Sequence, residues 1–259
     1  RGITSGVLTC LARVTRKTVK LAIWEKLWKM EFHPEKCEVL RVSRKRSIIK
    51  HEYKLSGKVL ATADTVKYLG VTITADLRWN RHIDNITSKA NRTLSFLKRN
   101  LRVSSTTVKT SAYYSLVRPT LEYACVAWDP YTKENINKLE MVQRRAARFV
   151  LGRYNYTSSV TEMLQELNWM PLEQRRQRQR LAMLYKINNG LVEIDKENLQ
   201  LQRRRQSRHV NCEGFEVPAS RTNYHMWSFI PRTTREWNRL PDSVVKAQTL
   251  SAFKQKLEH

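Results

Sequence analysis

The clearest periodic stretch of the chain runs from Glu134 to Leu151. At about 100° per residue, Ile136, Leu139, Val142, Ala146 and Phe149 share one helix face. Arg144 and Arg148 fall opposite, with Arg145 beside them, and Gly152 stands where such a helix would stop. An earlier stripe, Ile83, Ile86, Ala90, Leu94 and Leu97, has the same spacing. Ser104 or Ser105 is placed to cap a further helix through Tyr113–Val117, interrupted at Pro119. Leu121–Trp128 is apolar enough to be buried, and Asp129-Pro130 marks a turn. Ser159 and Glu162 form a capping box. Pro171 opens another helix, EQRRQRQR followed by LAMLYKI, ending at Gly190. On it Leu181, Leu184 and Ile187 face a core, while Arg175, Arg178 and Lys186 point away. Residues 191–221 are polar and broken, with QRRRQSR an exposed loop. Helix signals return around Trp237 and after Thr249, where Leu250, Phe253 and Leu257 recur.

The first third follows a different period. Thr9–Met30 reads as a helix halted at Phe32-His33-Pro34. Cys37–Val42 alternates as a strand does, Ser43–Lys50 is a basic loop, and Ser56-Gly57 sits between two short runs as a hairpin turn would. Val66–Ile73, VKYLGVTI, reads as one β-branched strand with Gly70 at its middle. The expected fold is therefore α+β and predominantly α-helical: a small antiparallel sheet region over 1–76, a helical bundle over 77–152, and a basic helical region over 153–259.

The 259 residues carry 48 Lys and Arg against 23 Asp and Glu, a net charge of +25. An excess of that size calls for a polyanion as partner, nucleic acid first and an anionic membrane surface or ribosomal RNA second. A hydrophobic content of 41% excludes a merely basic tail. No apolar run reaches the length of a membrane span, and the capped, core-forming helices argue against a lipid-surface protein, so an intracellular protein is expected. Cys10, Cys37, Cys125 and Cys212 are scattered, which fits a reducing compartment. The early basic stretch, acid-free until Glu25, resembles a transit peptide in composition, although a chain starting inside a longer protein suits Ile23–Met30 better.

Catalytic candidates are few. His209 and Cys212 are spaced like two metal ligands and His225 follows, but the closing pair for a zinc site is missing. Polymerase chemistry needs acids close enough to hold two divalent ions, and the sequence has no Asp-Asp pair. Nor does it contain G-x-S-x-G, a P-loop or H-E-x-x-H. Trp128, Trp169 and Trp237 sit among aliphatic residues and read as core rather than as base-stacking platforms.

Several blocks carry a family likeness in order: FHPEKCEVLRVSRKR, VKYLGVTITADLRWNRHI, LVRPTLEYACVAWDPY, LEMVQRRAARFV and SFIPRTTREWNRLP. From about Trp24 onward the chain resembles the C-terminal part of reverse transcriptases from non-LTR retrotransposons, the jockey-like mobile elements of animals. The resemblance implies a right-hand polymerase: late palm and primer grip over 1–76, thumb over 77–152 and a C-terminal helical region over 153–259. It places Lys36 near the incoming nucleotide's phosphates and Lys67, Tyr68, Leu69 and Gly70 at the strand and turn of a primer-grip hairpin, where a glycine admits close backbone approach. Arg144, Arg145, Arg148, Arg175 and Arg178 would contact RNA, DNA or an RNA–DNA duplex. The family's catalytic aspartates fall upstream of the matching region. No catalytic or metal-binding residue is therefore assigned here, Mg²⁺ is expected only for the full-length enzyme, and this chain alone is not expected to polymerise. A non-enzymatic nucleic-acid-binding scaffold or a decayed element copy is the alternative.

Overall fold

The computed structural model of the chain describes residues 23–43, 51–155, 157–194, 199, 201–204 and 210–258. It is mostly helical with a few two-stranded sheets, and divides into two compact units, residues 1–81 and 82–259. The expected helix over 9–30 is described only as α1, over 23–28, and the basic loop only at Ser43. His209 and most of QRRRQSR lie outside the described residues.

In the first unit a single 3₁₀ turn, Pro34–Lys36, leads into β1 (Glu38–Leu40). The turn is anchored upstream, where Glu25 accepts the Phe32 N–H at 2.6 Å and Trp24 packs on the Phe32 ring. β1 pairs with β4 (Ala61–Ala63) in parallel, Glu38 opposite Ala61. This corrects the expectation of a wholly antiparallel sheet region. A parallel pair needs a long crossover, and here residues 41–60 supply it and contain their own hairpin. That hairpin, β2 (Lys54–Leu55) and β3 (Lys58–Val59), turns at Ser56 (φ 50°) and Gly57 (φ 79°).

VKYLGVTI is two strands and not one. β5 (Thr65–Tyr68) and β6 (Val71–Thr74) pair antiparallel, Tyr68 opposite Val71, around Leu69 (φ 45°) and Gly70 (φ 85°). Positive φ at both central residues is what a two-residue type I′ turn requires, so the mid-strand glycine is a turn glycine. Gly70 supplies that geometry without strain, whereas Leu69 adopts it against its preference.

The second unit is built on three long helices, α2 (Asn80–Asn100), α6 (Lys133–Leu151) and α8 (Leu172–Asn188). α2 buries Ile83, Thr87, Ala90, Leu94 and Leu97, and α6 buries Asn135, Leu139, Val142, Ala146 and Phe149. Both seams alternate four and three residues, as packed helix pairs do. Ile86 and Ile136, expected in these stripes, are only partly buried, and Thr87 and Asn135 take the seam positions. Thr87 satisfies its hydroxyl on the Ile83 carbonyl at 2.7 Å. α2 and α6 run parallel. Lys138 bonds Asp84 at 2.8 Å, Arg145 bonds Asn91 at 3.1 Å, and Lys98 lies over Tyr154 just past the end of α6.

Between these helices, Ser105 caps α3 (Thr106–Ala112) through the Val108 N–H. The chain then widens into one π turn, Tyr113–Val117, before α4 (Arg118–Glu122) and α5 (Cys125–Trp128). Pro119 has no N–H to continue the α ladder, so the Arg118 N–H reaches back to Tyr113 instead. Leu121, Cys125 and Trp128 are buried as expected, but Tyr123 is exposed. Burial raises the Cys125 thiol to about 12, which makes it inert. Gly152 ends α6 at φ 67°, and Ser159 caps α7 (Val160–Glu166).

α8 carries the C-terminal core. Leu181, Leu184 and Tyr185 pack with Phe215, Trp237, Val244 and Phe253. These come from the segment after residue 210 and, past the short α9 (Asn223–Met226), from α10 (Phe229–Trp237), α11 (Asp242–Val245) and α12 (Leu250–Lys256). Two buried amides tie that segment down: Asn211 donates to the Trp237 carbonyl, and Asn238 exchanges both backbone bonds with Phe215. A Cβ on Gly214 would lie 2.2 Å from a Val210 methyl and 3.1 Å from the Asn211 carbonyl, so a side chain there would force its neighbours to shift. Trp128, Trp169 and Trp237 are all core residues, as their neighbours in sequence indicate.

Candidate nucleic-acid interface

In the basic run EQRRQRQR on α8, two of the four arginines are out of a ligand's reach. Arg176 and Arg180 are 0% and 1% exposed. Arg176 Nε donates to Asp129 Oδ1 at 2.7 Å, and Arg180 Nε lies 3.1 Å from Oδ2. Arg232 of α10 reaches the same carboxylate at 3.2 Å and the carbonyl of Pro130. Arg180 also grips both oxygens of Glu236, at 2.9 and 2.8 Å. Three guanidiniums therefore share two carboxylates in the interior. Desolvation holds Arg180 below the usual arginine range and pushes the Glu236 carboxyl up. This is a structural cluster, and the reading of α8 as core-facing only through its aliphatic residues is corrected. The signal was in the period: Leu172, Arg176, Arg180, Leu184 and Ile187 form one stripe. Residue type masked it.

Arg175 and Arg178, expected on the far side of α8, are half-buried and paired. Glu122 takes Arg175 in a two-point ion pair, which raises the arginine's pKa, and Glu258 lies 3.3 Å from Arg178. Both line a cleft at the start of α8.

Arg144 and Arg145 are exposed on α6 and Arg148 is partly so. Around them the charge is one-sided. From Asn85 to Leu121 the sequence holds Lys89, Arg92, Lys98, Arg99, Arg102, Lys109 and Arg118 and no acid. From Met141 to Thr161 it holds Arg144, Arg145, Arg148 and Arg153 and again no acid. The parallel run of α2 and α6 brings the C-terminal parts of these stretches side by side, whereas Arg153 is drawn off by a two-point ion pair with Glu166 and Arg118 by Glu122. Desolvation, with the adjacent Arg145 guanidinium, holds the Lys98 ammonium below its ordinary range. A cation pressed against another cation is a place where an added anion is favoured. His82, at the other end of α2, does not contribute: packed edge-on against Trp128, its imidazole falls to about 4 and is neutral near pH 7.

In the first unit, Lys36 is exposed at the end of its 3₁₀ turn, and Lys67, Tyr68, Leu69 and Gly70 are exposed at the β5–β6 tip. Tyr68 and Leu69 show 66% and 73% of their surface. Among the described residues no group of three His, Cys, Asp or Glu side chains could hold a metal ion. Cys212 donates its backbone N–H to Asp242, and the His225 ring bonds Ser220 at 2.8 Å. No helix of the described residues is long and apolar enough to cross a membrane.

No protein-family profile and no solved structure matches the chain. Two Drosophila melanogaster proteins do. A probable RNA-directed DNA polymerase from transposon BS is 27% identical over 162 residues, which is 60% of this chain and 17% of that protein. The RNA-directed DNA polymerase from mobile element jockey is 27% identical over 133 residues, 50% of this chain and 14% of the relative. The matched part is thus a small fraction of each relative. The similarity in sequence is to the reverse transcriptases of jockey-like mobile elements, the family that its motifs resemble.

Proposed function

We propose that the chain is the primer-grip, thumb and C-terminal portion of an RNA-directed DNA polymerase of a mobile element, and that it holds template–primer nucleic acid by the backbone. The observation that carries this reading is the pairing of the acid-free C-terminal parts of α2 and α6, where Lys98 stands beside Arg145. Lys98, Arg144, Arg145 and Arg148 would neutralise phosphates along an RNA–DNA duplex. In the first unit, Lys36 would meet phosphate and the β5–β6 tip would support the primer end. The tip's composition supports this: Asn would suit the first turn position better, so an exposed Leu69 there trades stability for a contact surface. Among the described residues no set of side chains fits a two-metal site, so no step through Mg²⁺ is assigned to them.

Filter binding of a primed RNA–DNA duplex against salt tests the reading. Lys98→Gln with Arg145→Gln should reduce the slope of log K on log salt by about 2 and weaken binding roughly tenfold or more. The control Lys246→Gln, on an exposed lysine already near Asp242, should change neither. A slope near zero for the parent chain would sink the proposal. For the tip, Leu69→Asn should raise stability by about 1 kcal/mol, since Asn tolerates positive φ, and should lower duplex affinity a few-fold. Unchanged affinity would remove the tip from the interface.

A second reading, a basic RNA-binding scaffold without polymerase context, is favoured by the second unit's own buried polar cluster and aromatic core. Primer extension by this chain alone with Mg²⁺ should give no product under either reading, and incorporation would refute the non-catalytic assignment. Preference for primed duplex over unprimed structured RNA separates the two.

A further inference from the structure

α2 turns one side toward α6 and leaves the opposite side open. Asp84, Asn91 and Lys98 recur every seven residues and meet Lys138, Arg145 and the Tyr154 ring. Phe96 lies roughly 160° round the helix from Lys98. It is also on the far side from the buried Ile83, Thr87 and Leu94, and is 53% exposed. Arg92 and Arg99, four residues before and three after, share its face, and Lys89 continues it one turn back. All three cations are exposed, and among the described residues none has a carboxylate partner. Lys89 and Arg99 stand about 15 Å apart along the axis, the length of roughly four stacked nucleotides. In the turn just past α2, Arg102 is exposed and Val103 is 97% exposed.

A single exposed apolar side chain is ordinary on a protein surface. Phe96 differs in its setting. Its ring is open, since among the described residues no aromatic ring or cation lies over it. It is also ringed by positive charge, in a stretch with no acid from Asn85 to Leu121. An apolar protein partner would cover those cations without anions to meet them. A second copy of this chain, at +25, would add like charge. A polyanion with flat apolar faces answers both features. A nucleic-acid strand with unpaired bases is such a molecule, whereas a duplex is not, because its base faces are covered by their neighbours in the stack.

We infer that this face of α2 holds a single-stranded stretch of RNA or DNA. One base stacks on Phe96, and the phosphates on either side of it are drawn to Arg92 and Arg99. An aromatic face beside a track of cations is the combination that unpaired strands use. The inference rests on the nucleic-acid reading above and deepens it, since it assigns duplex and single strand to opposite sides of one helix.

Fluorescence anisotropy of the full chain with a labelled oligouridylate, and with a blunt duplex, tests it. Phe96→Ala should weaken the oligouridylate about tenfold and the duplex by less than about twofold. Phe96→Trp should keep the affinity, because any aromatic face serves. A strand of abasic sugar-phosphates should bind the parent and Phe96→Ala alike. Arg92→Gln with Arg99→Gln should weaken both strands and reduce the slope of log K on log salt by about 1.4. Equal oligouridylate binding by Phe96→Ala and the parent would overturn the inference, and so would an equal loss on the abasic strand. Dispersal of an oligomer by Phe96→Ala, with strand binding unchanged, would overturn it too and make this face a contact between copies. Salt-independent binding of every nucleic acid would remove the nucleic-acid reading itself, whereas a steep slope with no Phe96 effect would remove only this inference. Lys98→Gln with Arg145→Gln should lower duplex binding and leave the effect of Phe96→Ala on the single strand unchanged.

Discussion

Asp129→Ala should destabilise the second unit by about 3–5 kcal/mol, the usual cost of stripping one partner from a buried ion pair. That is a large part of the 5–15 kcal/mol that holds a typical domain. The cause is charge left without compensation. Arg176 and Arg180 are almost wholly buried and Arg232 is 7% exposed, so none of the three can turn to water. With Asp129 gone, Glu236 would be left with Arg180 and Arg232, and Arg176 would lose the carboxylate it pairs with. The cluster is already under-satisfied, as both terminal nitrogens of Arg176 lack an acceptor. Urea denaturation followed by far-UV circular dichroism measures the effect. Asp129→Leu combined with Arg176→Met and Arg180→Leu should recover much of it, because apolar residues of similar volume often replace a buried ion network without loss. A loss below about 1 kcal/mol in the single variant would mean that the cluster is not the buried element described here.

Trp237→Ala should cost a similar amount, about 3–5 kcal/mol for deleting a large buried aromatic. Trp237 is fully buried, stacks on Phe253 at 5.6 Å, and donates its indole N–H to the Glu213 carbonyl at 3.0 Å. The loss would be felt first where packing is borrowed: the segment from Val210 to Phe215 is held by Asn211 and Asn238 against α10, with little regular structure of its own. Limited proteolysis should therefore cut near residues 210–217 before the long helices are attacked. α8 bears Arg176 and Arg180 on its first half and Leu181, Leu184 and Tyr185 on its second, so the two substitutions strain one helix. Their effects on the urea midpoint should be non-additive. Independent, additive effects would show that the polar cluster and the aromatic core are separate cooperative parts.

What could be read along the chain was whatever local physics decides. Ser105, Ser159, Thr249 and Gly152 act at helix ends where their chemistry places them, and Ser56-Gly57 turns a hairpin. The heptad-like seams of α2 and α6 were legible because burial of one helix face imposes its own period. The hairpin at Leu69-Gly70 was harder, since a leucine in a type I′ turn contradicts turn preference and hides it inside an apolar run. The family likeness, too, lay in the sequence, and the two Drosophila polymerases match it there.

The fate of each arginine was a different matter. Arg144 and Arg145 stayed on the surface, Arg175 and Arg178 were drawn into ion pairs, and Arg176 and Arg180 went to the core, although four of these six lie within one basic run. Their carboxylate partners stand far off in the chain: Asp129 is 47 residues from Arg176, and Glu236 is 56 from Arg180. A guanidinium's desolvation is offset only by charges that folding brings to it, so composition sets how much positive charge there is and tertiary packing decides which of it remains for a polyanion.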